Sequence, residues 1–296
     1  MKQPLFKGSA VALVTPFQDG KINYEVMKRL IDMQIEGGTA AIVVCGTTGE
    51  SATQTLEEHM EAVEFCASYA AGRITVIAGA GSNDTAAAVM LAKHGERCGA
   101  DGLLVVTPYY NKATQRGLVR HYNAIADAVN IPIILYNVPS RTGCGFTAET
   151  YRELSKHPNI SGVKEASGNF SLINETKAIC DEDFYIWSGD DALTLPMMAM
   201  GAQGVISVLA NILPGVMTDI CRLCFENDFA SARELNYKYL HLMNAMFCEV
   251  NPIPVKTAMN MLGYEVGELR LPLCEMEDKN VALLKRELEA VGLKIV

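Results

Sequence analysis

Apolar residues along this chain fall into short continuous runs, separated by stretches in which they recur every three or four positions. The runs are SAVALVTP (9–16), AAIVVCG (40–46), ITVIAGA (74–80), GLLVVTP (102–108), IPIILYN (131–137), ISGVKE (160–165), FYIWSG (184–189) and GVISVL (204–209). Each is too continuously apolar for the half-polar strand of an open antiparallel sheet, and reads as a buried parallel strand. In the stretches between, Val26, Leu30 and Met33, and later Leu118, Tyr122, Ile125 and Val129, stack on one face of a helix. Thr55 and Glu58 stand at the spacing of a capping box, in which each side chain satisfies an amide left free at a helix start. Parallel neighbours need crossover helices, and eight strand-helix units that close on themselves leave no sheet edge. The pattern therefore predicts an α/β fold of (β/α)8 TIM-barrel type. An open doubly wound sheet is the other arrangement of the same elements.

Beyond the eighth run only helical periodicity remains, over about 215–226, 229–249, 253–262 and 277–291. The first completes the barrel, which gives a catalytic barrel over 1–226 and a C-terminal helical extension over 227–296. No Gly/Ser-rich linker separates them, so the extension is expected to pack on the barrel. A net charge of −9 repels phosphate and argues against nucleic acid or an anionic membrane as partner. The chain has no stretch of about 18 or more apolar residues and no secretory-type start, so a protein that neither spans a membrane nor is exported is expected. Nine cysteines without paired spacing suit a reducing cytoplasm, and the lone CxxC, Cys221 to Cys224, reads as core packing. His59, His94, His121, His157 and His241 form no ligand spacing and read as mostly helix-surface positions, so no metal is expected.

A barrel enzyme carries its chemistry at the carboxyl ends of its strands. Lys164 is the one lysine that ends an apolar run, and alternation puts Ile160, Gly162 and Lys164 on one face. Burial in the barrel wall disfavours the charged ammonium and leaves an amine that can attack a ketone. The alternative is an ion pair with Glu165 or a snorkelling side chain. Tyr136 ends the neighbouring strand, where a phenol can pass protons during carbinolamine dehydration; a buried aromatic with a satisfied hydroxyl is the plainer reading. Thr47 and Thr48 offer hydroxyls and amides in a glycine-flanked turn suited to a small carboxylate. Arg141 follows the fifth strand in a Pro/Gly loop, where it can fork onto a carboxylate or simply face solvent. Asp190 and Asp191 would repel a phosphate at the loop after strand seven, which favours keto acids over phosphorylated sugars.

The motifs GTTGES (46–51), VTPYYNK (106–112), YNVPSRTG (136–143), GVKEASG (162–168), SGDDAL (188–193) and NPIPVKTAMNMLG (251–263) resemble, in order and over about residues 4–290, the dihydrodipicolinate synthase family. The resemblance implies a homotetrameric lyase that condenses pyruvate with L-aspartate 4-semialdehyde to 4-hydroxy-tetrahydrodipicolinate, in lysine and diaminopimelate synthesis. It needs no cofactor beyond a covalent lysine imine. It implies that Lys164 forms the Schiff base, that Tyr136 is the general acid/base, and that Thr47 links Tyr136 to Tyr110 of a neighbouring subunit. Thr48 would hold the pyruvate carboxylate, Gly189 and Ile206 would line the pocket, and Arg141 would grip the semialdehyde carboxylate. N-acetylneuraminate lyase and 2-keto-3-deoxy acid aldolases resemble the same scaffold, but the lyase lacks the second threonine and the arginine; a non-catalytic keto-acid-binding barrel is a third possibility. Some relatives bind lysine at a subunit interface, and Ser51, Ala52, His59, Asn83 and Tyr109 match that site. Leu56 and Ala87 stand where lysine-sensitive relatives carry a histidine and a glutamate, so weak or absent feedback is expected.

Overall fold

The computed structural model describes residues 2–296. Eight parallel strands close into a barrel: β1 (Gly8–Ala12), β2 (Ala41–Val44), β3 (Thr75–Gly79), β4 (Gly102–Val106), β5 (Ile133–Asn137), β6 (Ile160–Glu165), β7 (Tyr185–Ser188) and β8 (Gly204–Ser207). β1 pairs with β2 on one side and β8 on the other, so the open-sheet alternative is excluded. The barrel helices are α1 (Tyr24–Glu36), α2 (Leu56–Ala70), α3 (Thr85–Arg97), α4 (Gln115–Ala126), α5 (Ala148–Ser155), α6 (Phe170–Ile179), α7 (Thr194–Ala199) and α8 (Pro214–Phe225). Three more follow: α9 (Phe229–Ala245), α10 (Ile253–Met261) and α11 (Asp278–Ala290). Thr55 and Glu58 form the capping box at the start of α2.

Two apolar layers account for the architecture. Inside the barrel, Ala10, Ala12, Val43, Ile77, Leu104, Ile134, Trp187 and Ile206 pack together, with Phe6 stacked on Trp187 at 5.2 Å just ahead of β1. Outside, the alternate residues of each strand meet the helical stripes; Leu118, Tyr122, Ile125 and Val129 are all buried there. Buried residues of α9, α10 and α11, among them Leu242, Val255 and Leu284, belong to this same outer cluster. Cys221 and Cys224 also lie in it as free thiols, and burial pushes the Cys221 thiol up out of the reactive range.

Three expectations change. The first run forms strand only to Ala12; Phe17–Gln18 and Lys21–Ile22 make a small hairpin instead, and Phe17 bridges to Gly267 of the extension. Ile160 does not share the face of Lys164. Ile133 pairs with Ile160 but Ile134 with Gly162, so Ser161 is an extra residue, and the bulge turns Ile160 to the helices while Gly162 and Lys164 face the barrel interior. Finally, His59, His94 and His121 are buried rather than on the surface. Two of them bond to carbonyl oxygens, His59 Nε2 to Gly79 at 2.8 Å and His94 Nε2 to Met60 at 3.0 Å, while His121 Nδ1 meets Thr85 Oγ1 at 2.9 Å. A helix stripe can bury imidazole as readily as leucine when a polar partner is within reach, which periodicity cannot reveal.

Candidate active site

Register brings the first pair together. Tyr136 of β5 and Lys164 of β6 are direct partners, so both side chains enter the barrel at one level, with Nζ 4.4 Å from the centre of the phenol ring. Lys164 is 5% exposed, and no carboxylate lies within 4.0 Å of it among the described residues. Glu165 points the other way: Asn137 Nδ2 donates to both its oxygens at 3.0 Å, Tyr151 Oη donates at 2.8 Å and the Ser167 amide at 2.9 Å. The ion-pair reading of Lys164 is therefore excluded. Gly189 backs onto the same lysine, since a Cβ there would stand 3.2 Å from Lys164 Cε and 2.6 Å from Ala166 Cβ. Ile206 packs in the interior cluster with Tyr136.

The loop after β2 is held from several sides. Cys45 and Glu50 take left-handed conformations at its two ends. Thr15 Oγ1 donates to the Gly49 carbonyl at 2.6 Å, and Gln54 Nε2 donates to the same oxygen at 2.8 Å. The Gly49 and Glu50 amides turn back onto Gly46 and Thr47 carbonyls, while those of Thr47 and Thr48 find no acceptor among the described residues. Glu50 is anchored by Lys256 of α10, whose Nζ donates to Oε1 at 2.8 Å and to the Thr15 carbonyl at 3.2 Å; both side chains are buried. Burial pushes the Lys256 ammonium down, and the charge of Glu50 opposes that shift. Removing one partner of such a pair would strand a buried charge at a cost of about 3–5 kcal/mol.

A cavity of about 560 Å³ opens beside this loop, lined by Thr47, Tyr136, Val138, Arg141, Asn251 and their neighbours. Arg141 is its only lysine or arginine, sits at the exposed rim on the short helix Pro139–Thr142, and donates through Nη2 to the Asn251 carbonyl at 3.3 Å. Asn251 Nδ2 donates to Thr48 Oγ1 at 2.9 Å. That bond fills a lone pair of the hydroxyl and leaves its proton free to be donated to a ligand. Tyr110 lies apart from all of this, 91% exposed in a left-handed turn. Asp191 is spent on structure, its Oδ2 accepting the Val208 and Leu209 amides at 3.1 and 2.9 Å.

The arrangement is an unpaired buried amine beside a phenol, with hydroxyl and amide donors on one side and a guanidinium at the rim. Matched against known families, residues 5–291 fit the Dihydrodipicolinate synthetase family. The chain belongs to that family. A 4-hydroxy-tetrahydrodipicolinate synthase of Caldicellulosiruptor saccharolyticus is 52% identical over 293 residues, covering 99% of both chains. The crystal structure of dihydrodipicolinate synthase from Aquifex aeolicus superposes with a TM-score of 0.96 at 49% identity, covering 98% of this chain and 99% of that one. The synthase of Cyanidioschyzon merolae with lysine bound gives 0.95 at 40% identity, covering 98% and 100%.

Within this family frame, Ser51, Ala52, His59 and Tyr109 line the same cavity, joined by the half-exposed Leu56; Asn83 does not, and its carbonyl accepts Asn111 Nδ2 at 2.9 Å. Asn251 and Lys256 were not singled out from sequence, although both lie in NPIPVKTAMNMLG. The only signal was that Asn251 and Lys256 are polar residues in a largely apolar stretch, one that also carries Thr257 and Asn260. No group of three or more His, Cys, Asp or Glu side chains able to hold a metal occurs among the described residues, and no helix there is long and apolar enough to cross a membrane.

Proposed function

We infer that the chain is a class I aldolase-type lyase that condenses pyruvate with L-aspartate 4-semialdehyde to 4-hydroxy-tetrahydrodipicolinate, a step of lysine and diaminopimelate synthesis. The observation that carries the mechanism is Lys164, a buried amine without a counter-ion, 4.4 Å from the Tyr136 ring. Its Nζ attacks the keto carbon of pyruvate. Tyr136 delivers a proton to the departing hydroxyl, water leaves, and a cationic imine remains as the electron sink. Loss of a methyl proton gives the enamine, whose carbon attacks the aldehyde as the aldehyde oxygen takes up a proton. The amine of the semialdehyde then adds to the imine carbon, and Lys164 departs as the ring closes. No cofactor is required.

Thr48 and the free amides of Thr47 and Thr48 hold the pyruvate carboxylate, Gly189 and Ile206 shape the pocket, and Arg141 takes the carboxylate of the semialdehyde. Tyr110, projecting from the fold, completes the relay through Thr47 to Tyr136 in a neighbouring subunit of a homotetramer. The two-part division at residue 226, a cytoplasmic location suited to nine free thiols, and the absence of nucleic-acid or membrane partners belong to the same reading. Reduction with borohydride in the presence of pyruvate, followed by peptide mass mapping, should place a pyruvyl adduct on Lys164, and a coupled assay with the semialdehyde should give turnover. A labelled lysine elsewhere, or none, would contradict the mechanism.

Arg141→Ala should lower kcat/KM for the semialdehyde roughly 10- to 100-fold, the worth of a charge-assisted hydrogen bond of about 1.5–3 kcal/mol. Pyruvate trapping should stay nearly unchanged; equal losses in both would refute the assigned role. For lysine itself, Leu56 and Ala87 supply no imidazole or carboxylate to an effector, which forfeits a comparable energy. Titration with lysine in the coupled assay is expected to give half-inhibition above about 1 mM, and tighter inhibition would overturn the prediction.

A further inference from the structure

The catalytic pair owes its meeting to a register that the strands alone do not secure. Below the Ser161 bulge the strands pair Ile133 with Ile160, and above it Ile134 with Gly162. A slip of one residue there would turn Lys164 out of the barrel. Directly above the pair, Asn137 and Glu165 are themselves partners in the ladder, facing the helices. The Glu165 carboxylate is 2% exposed and receives four hydrogen bonds, from the Asn137 amide on β5, the Tyr151 hydroxyl on α5 and the backbone of Ser167 beyond β6. Burial, with the nearby Glu165 charge adding to it, pushes the Tyr151 phenol well up, so it remains a donor.

We propose that Glu165 is a positioning residue: it clamps β5, β6 and α5 together at the level of Tyr136 and Lys164, and so sets the approach of Nζ to the ketone. It touches no substrate. Its position one residue from Lys164 on the opposite face means that any movement of its backbone is transmitted to the reacting nitrogen, and misplacement of about 1 Å can cost up to about 100-fold in rate. This rests on the imine mechanism proposed above.

Glu165→Gln keeps the shape but turns one acceptor into a donor facing the donors of Asn137 and Tyr151. Single-turnover trapping of pyruvate on Lys164 should slow by about 10- to 100-fold, with kcat falling in step and KM for the semialdehyde within about twofold. A loss of stability alone would lower the amount of active protein without slowing the trapping step of the folded molecules. Should Glu165→Gln fail to fold, Tyr151→Phe removes one donor only and should still slow trapping several-fold. Trapping by Glu165→Gln or Tyr151→Phe at the parent's rate overturns the proposal. A parent chain that traps no pyruvate sinks the imine mechanism and this inference together; a parent that traps while the variants trap equally fast sinks only the clamp.

Discussion

Lys164→Met is expected to cut kcat by roughly 10³-fold or more while leaving the protein at least as resistant to heat. The first half follows because no other free amine is available to form an imine in the interior. Lys164 is flanked by Tyr136, Gly189 and Trp187, and the one other buried lysine among the described residues, Lys256, is committed to Glu50 and two backbone carbonyls. The second half follows from burial: a 5% exposed amine with no counter-ion loses hydration that the face of the Tyr136 ring only partly replaces, and a thioether of similar length relieves that cost. Steady-state kinetics and thermal unfolding read the two effects on one sample. Turnover within tenfold of the parent would remove Lys164 from the chemistry, and a large fall in Tm would mean that the amine is held by interactions the structure does not contain.

Tyr136→Phe should lower kcat by about 10²- to 10⁴-fold, the usual worth of a positioned acid/base. The ring is 7% exposed and packs in the interior cluster, so phenylalanine preserves the core and isolates the hydroxyl. Imine trapping should slow as well, since dehydration of the carbinolamine uses the same proton. Rapid trapping together with slow turnover would confine Tyr136 to the aldol half of the reaction; unchanged turnover would make it packing only.

Much of this was legible before any coordinates. The continuous runs announced buried parallel strands because a strand covered on both faces has no polar side, and the helical stripes announced the crossovers. Lys164 stood out for the same reason, as a charged residue where apolar ones belong. What stayed hidden were the features that depend on which elements meet. Ser161 reads as an ordinary strand residue, yet it shifts the register. Glu165 sits beside a catalytic lysine in sequence and on the far side of the strand in space. Asn251 and Lys256 are more than 200 positions from Thr48 and Glu50 and bond to them. One sequence carries no signal for a pairing that distant when each partner is polar for unrelated local reasons.

The anchoring of the loop after β2 by α10 also has a bearing on synthesis. All eight strands are complete by Ser207 in the chain, so they are made before the residues that brace the loop after β2. At that moment Thr48 lacks Asn251 and Glu50 lacks Lys256. A chain stopped short of Asn251 would thus carry every strand of the barrel and still leave the loop after β2 without its two distant partners.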